Sequence, residues 1–156
     1  MLPPALLCAA LALALGFAPA RARLPALLAL VMLAVIVNQM SFPAAAHEWI
    51  FAGCWLSTAL TALTVHLRHP AAVWPAALVA ANAGMWAGAV TAISGTGLDL
   101  ARALPVALLA FPVAWLVAHK AGIAVKVVAS WLLAVAILVA ALPMVATPGY
   151  VQDHME

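Results

Sequence analysis

Six apolar stretches in succession dominate this chain, and the short segments between them offer little from which a soluble fold could be built. A bilayer's hydrocarbon core takes about 20 apolar residues per helix, within a range of roughly 17–25. Cutting at charges, prolines and glycines leaves residues 3–18, 24–42, 49–67, 71–94, 103–118 and 123–145 as predicted spans, the first and fifth of them short. A domain of 156 residues cannot hide a sequence that is 69% hydrophobic and 6% charged, because the fraction of surface it can bury is limited by its size. Alanine, leucine and valine dominate without β-branched alternation, which predicts helices rather than barrel strands. The expected architecture is an all-α integral membrane protein: one domain over 1–156, a compact bundle of about six transmembrane helices with short loops, and a tail at 146–156.

Charge orients the bundle. Arg21 and Arg23 join the first two spans, Arg68 the third and fourth, and Lys120 with Lys126 marks the fifth and sixth. With six spans these residues share one side, which the excess of Lys and Arg in inner loops makes cytoplasmic. Glu48, Asp99 and the acidic tail then lie opposite, with Arg102 the one exception. Both termini are predicted to be periplasmic, in a bacterial inner membrane, and the Ala-rich, Arg-over-Lys composition suits a GC-rich bacterial genome. The segment GFAPARA offers small residues in a signal-cleavage arrangement, but no basic residue precedes the apolar run, so the first span is expected to be retained. Pro25 and Pro75 fall near span beginnings, where a missing N–H is harmless, whereas Pro112 is interior and predicts a kink.

Ser94-Gly95, followed by the His-x-x-Gly of His119 and Gly122, resembles the way rhomboid-family intramembrane serine proteases present nucleophile and base. Here a spanning helix of about 30 Å separates the two. Catalysis needs them within roughly 2.6–3.2 Å. A Gly-rich turn with Asp99 capping the next helix is the expected structure. The segment DLARALP is faintly similar to prepilin peptidases, which need two aspartates on one face, whereas this chain has only Asp99 and Asp153. Without nucleotide motifs or catalytic carboxylates, neither enzymatic activity nor a cofactor is expected. A net charge of +2 gives no ground for nucleic-acid binding, and two cysteines are too few for a disulfide framework or zinc knuckle.

Ionisable groups at membrane depth would mark function. Only Lys126 qualifies, and its stem can snorkel to the interface. Neutral polar residues are more plentiful. Cys54, Ser57, Thr58, Thr61 and Thr64 recur at helical spacing in the third span, and the fourth carries Asn82 followed by Gly84, Trp86 and Gly88. The Gly-x-x-x-Gly spacing permits close backbone approach, so the third and fourth spans are expected to pack as a hairpin through these faces. Asn38 and Gln39 add a polar site in the second span, and Ser130 one in the sixth. Two meanings compete: Gly84, Gly88, Trp86 and Asn82 form a helix-packing or partner interface, or Ser57, Thr58, Thr61, Thr64, Asn82, Asn38 and Gln39 line a path for a small solute. Trp49, Trp55, Trp74 and Trp115 fit interfacial belts, with Trp86 and Trp131 deeper.

Met1, Cys8, Met40, His47, Cys54, Met144, His154 and Met155 fall toward the outer half, with Met85 deeper. Such soft ligands suit cuprous copper. The chain has no Met-x-x-Met or Cys-x-x-Cys, and methionine is commonly packing filler. Cys8, Cys54, His47 and His154 are the candidate metal ligands; His66, His69 and His119 gather at the inner face, and no histidine sits deep enough for haem. The leading expectation is a non-catalytic accessory, assembly or anchoring subunit of a larger membrane complex, with the bilayer and other membrane subunits or further copies as partners. The alternative is a small-solute or ion channel or transporter, and the third is periplasmic copper handling.

Overall fold

The computed structural model describes residues 2–67, 72–95 and 97–142. Its helices are α1 (Leu2–Gly16), α2 (Ala20–Asn38), α3 (His47–Thr64), α4 (Val73–Ser94), α5 (Gly97–Ala103), α6 (Ala110–Ala118) and α7 (Gly122–Ala141), with short 3-10 segments at Ala44–Ala46 and Leu104–Leu109. Among the described residues there is no strand. Arg68, His69, Thr96 and the tail from residue 143 lie outside the described residues.

Among the described residues four helices are long and apolar enough to cross a membrane: α2, α4, α7, and the run Gly97–Ala118 formed by α5, the second 3-10 segment and α6. α1 is shorter, and α3 begins with His47-Glu48 and carries four Ser and Thr residues. The fifth apolar stretch therefore starts at Gly97 rather than 103. Asp99 lies within its first turn, where the helix dipole favours a carboxylate, rather than capping it from outside. The expected break near Pro112 takes the form of the tightened 3-10 stretch. A proline ring at 112 collides with the carbonyl four residues back, at Leu108, and Pro105 adds a second missing N–H.

α2 likewise begins earlier than expected. Pro19 is its N-cap in extended conformation, so the helix takes in Arg21 and Arg23 and leaves Pro25 inside rather than in the first turn. The early start has a use. Arg23 reaches back across the α1–α2 turn and donates to the Leu15 carbonyl through Nε (3.3 Å) and to the Ala18 carbonyl through Nη2 (3.0 Å). Carbonyls at a helix C-terminus have no intrahelical partner, so a guanidinium there serves both hydrogen bonding and the dipole.

α1 is apolar all round, and a helix with no polar stripe must be enclosed on every side. Here protein encloses it. α3, α4, α6, α7 and the 3-10 segment before α6 all pack on α1, and Leu7, Cys8, Ala10, Leu11, Ala12 and Leu15 are buried. α2 instead lies at the edge, packed almost wholly on α4, and α7 rests mainly on α3 through Val125, Ala129, Leu132 and Ala136. The outer faces of α2 and α7 are large and apolar: Leu24, Leu28, Met32 and Ile36 on one, Ile123, Val127, Trp131 and Leu138 on the other.

Candidate functional site

The polar residues converge on α4, which presents different groups to two neighbours. Toward α3, the Asn82 amide donates to the Ser57 hydroxyl at 2.6 Å, and the Trp86 indole N–H donates to Asn82 Oδ1 at 3.2 Å. The outer edge of the Trp86 ring fills the space above Gly53, where any Cβ would overlap it. Toward α2, Gly84 and Gly88 face main chain. A Cβ on Gly84 would collide with the Leu30 carbonyl oxygen, and one on Gly88 would lie 2.5 Å from that of Ala34. One turn on, the Thr91 hydroxyl sits 2.9 Å from Asn38 Oδ1 and 2.9 Å from the carbonyls of Ala87 and Gly88, so its single proton has three acceptors.

These pairings revise the expected hairpin. Positions 82 and 84 are about 200° apart around a helix of 3.6 residues per turn, so the amide and the glycines cannot share one face. The glycine face belongs to α2. The partners Leu30, Ala34 and Asn38 rise in step with Gly84, Gly88 and Thr91, which makes α2 and α4 parallel neighbours with α3 on α4's other side. The contact is small on both helices: Ala22, Ala26 and Ala34 on α2 and Ala76, Ala80, Gly84 and Gly88 on α4 are all buried. Small residues four apart are how apolar helices approach closely without a hydrophobic driving force.

The rest of the α3 stripe is turned inward. Ser57, Thr58 and Thr61 are buried and Thr64 is half-buried. Thr58 donates to the Cys54 carbonyl at 2.8 Å and Thr64 to that of Thr61 at 2.6 Å. Gln39 is exposed at the C-cap of α2, away from Ser57 and Asn82. Among the described residues no buried side-chain nitrogen or oxygen lacks a partner. Of this stripe Ser57 alone bonds to another helix, and Thr58 and Thr64 turn back on carbonyls of α3 itself. A double-mutant cycle of Asn82→Leu and Ser57→Ala, read by unfolding in detergent, is expected to give a coupling of about 0.6 kcal/mol, up to about 1.7, as for other interhelical bonds in membranes.

Cys8 and Cys54 are both buried in the same apolar cluster, and neither is in a disulfide. His47 begins α3 and is half-exposed, two turns from Cys54, and His154 lies outside the described residues. Among the described residues no group of three or more His, Cys, Asp or Glu is placed to hold a metal. Ser94 and His119 are not brought together either. Ser94 ends α4 and donates to the Val90 carbonyl, while His119 lies at the far end of the Gly97–Ala118 run, bonded to the Trp115 carbonyl and packed on the Trp115 ring 4.2 Å away.

Sequence patterns missed Gly53 and Arg23. A lone glycine opposite a tryptophan on another helix has no local signature, and Arg23 was accounted for as a topology marker. A cleft between α3 and α7 also had no sequence signal. It measures about 640 Å³ and is walled by Trp49, Phe51, Ala52, Trp55, Val139 and Ala140, with Glu48 at its edge. A second hollow of about 240 Å³ shares Trp55 and Ala140 and continues it along the helix pair.

No protein-family model, curated protein or solved structure matches this chain.

Proposed function

We propose that the chain crosses a bacterial inner membrane six times and serves as a non-catalytic accessory, assembly or anchoring subunit of a larger membrane complex. The observation that carries this reading is the α3/α7 cleft. Interiors pack to the density of organic crystals, and a bundle sufficient to itself closes such a space with its own side chains. Among the described residues α7 rests mainly on α3, and an aromatic-walled cleft lies beside that contact. A helix from another subunit would fill it, with Trp49 and Trp55 as the rigid surfaces on which such contacts are built.

The polar pairs between helices support the same reading over the conduit. Ser57 with Asn82, and Thr91 with Asn38, already spend their groups on one another between helices, which leaves them less to offer a passing solute. Charge supports the orientation: Arg21, Arg23, Lys120 and Lys126 lie at one end of the bundle, Glu48 and Asp99 at the other. Placing the basic end in the cytoplasm sets the N-terminal end of α1 on the periplasmic side. α1, at about 1.5 Å per residue, is shorter than the hydrocarbon core, which its protein surroundings permit since it scarcely meets lipid.

The test is the native mass of the protein extracted gently from its host membrane, with co-migrating chains identified. A defined heteromeric assembly that Trp55→Ala loosens is the expected result. A stable lone monomer in native membranes, or an assembly indifferent to Trp55 and Ala140, would overturn the proposal.

A further inference from the structure

At the basic end, where α1 finishes and α6 turns into α7, a concavity of about 300 Å³ is lined by Phe17, Val117, Lys120, Gly122, Ile123 and Lys126. Two ammonium groups thus border one hollow. Lys126 lies with its Nζ 6.0 Å from the centre of the Phe17 ring, the outer reach of a cation–π contact, which draws it back toward the end of α1. No Asp or Glu lines the hollow. The carboxylates among the described residues, Glu48 and Asp99, belong to the other end of the bundle.

Lys120 is held there in an unusual way. It is the one non-glycine residue among those described with a positive φ, 65°. The surrounding bonds are those of a Schellman turn: Ala121 N–H donates to the Leu116 carbonyl at 3.0 Å and Lys120 N–H to that of Val117 at 3.2 Å. Glycine is the residue such a turn favours, because a Cβ at this φ is strained. A lysine in its place keeps a charge at the rim of the hollow against the turn's own preference. Strain tolerated beside a ligand-sized concavity is a reason to look for a ligand.

We infer that this hollow binds the phosphate headgroup of an anionic phospholipid of the inner leaflet. The volume is at the low end for a small-molecule site, about 300–1,000 Å³, which suits a headgroup whose acyl chains continue down the membrane-facing side. Ile123 and Val127 continue from the hollow along the exposed face of α7 as an apolar track for those chains. Basic pockets between transmembrane helices on the inner side are a recurrent way of holding such lipids. The inference rests on the bilayer placement and is independent of the subunit role.

The test is native mass spectrometry of the full chain, delipidated in detergent and titrated with dioleoyl phosphatidylglycerol or dioleoyl phosphatidylcholine. Wild type should retain phosphatidylglycerol in preference. Lys126→Gln should weaken it about fivefold, and Lys120→Gln with Lys126→Gln about 25-fold, at roughly one lysine's worth of surface attraction each. Lys120→Gly separates binding from folding, because the two effects have opposite signs: the relaxed turn should raise the melting temperature by about 2–4 °C while lipid retention falls. Arg21→Gln, at the same end but outside the hollow, should leave retention unchanged. Equal retention of the two lipids would overturn the inference, as would an equal loss in Arg21→Gln, which would mean diffuse surface charge. Displacement of the lipid by millimolar inorganic phosphate would also overturn it, since the site would then take free phosphate.

Discussion

Gly84→Val is expected to lower the melting temperature of the detergent-solubilised protein by roughly 6–12 °C, the equivalent of about 3 kcal/mol at about 2–4 °C per kcal/mol. Most overpacking is absorbed by a side chain that swings aside. Here the obstacle is main chain, since the new Cβ meets the carbonyl oxygen of Leu30, with its carbonyl carbon and Cα both at 3.1 Å. Relief requires α2 and α4 to separate along their whole contact. A gap of 0.5–1 Å already forfeits about a quarter to a half of each dispersion contact, and the Thr91–Asn38 bond at the end of the same contact would stretch with it. α2 has little other attachment, so it would detach rather than re-pack elsewhere. Gly97→Ala is the control, because no atom lies within 4 Å of a Cβ there. If the two variants melted alike, the close α2/α4 approach would be wrong.

Helix existence and polarity pattern were legible from the sequence because both are local. Apolar runs broken by charge and proline mark α2, α3, α4 and α7 to within a few residues at most ends, and the basic and acidic residues among those described, Arg102 apart, fall at opposite ends of the bundle. The neighbours of each helix were not legible. Gly84 and Gly88 announce that some backbone comes close, but the choice between α2 and α3 depends on which way each face of α4 points once the bundle closes. Adjacency in sequence favoured α3, the hairpin partner. Helical geometry decides otherwise: Asn82 reaches Ser57 on α3, so the glycines, about 200° away, must face α2. The site shows the same division. A stripe of hydroxyls in α3 was visible, yet that Ser57 alone of it meets another helix, through Asn82 of α4, depended on how the helices assemble.

α1 is the sharpest case of this ambiguity, and Leu11→Ala tests it. A helix of Ala and Leu with no polar side looks the same to the sequence reader whether lipid or protein surrounds it. In the structure Leu11 is 0% exposed and six other elements pack on its helix. In water-soluble cores, Leu→Ala costs about 2–5 kcal/mol, part from lost transfer out of water and part from the cavity. The transfer part largely vanishes in a membrane, because a dissociated α1 would still lie in hydrocarbon. The cavity part remains, since the side chains around Leu11 lose their contacts and lipid cannot enter to replace them. The expected loss is therefore about 1–3 kcal/mol, below the soluble range but well above zero. Leu28→Ala makes the comparison: that side chain, on the outer face of α2, is 57% exposed, and acyl chains can fill the space it leaves. Its expected cost is within about 0.5 kcal/mol of nothing, as for surface substitutions generally. Equal costs at the two positions would place α1 against lipid rather than at the centre of the bundle. A short α1 would then have to thin the bilayer around it or fail to cross, because an enclosing shell of protein is what lets a 15-residue helix stand where about 20 residues are otherwise needed.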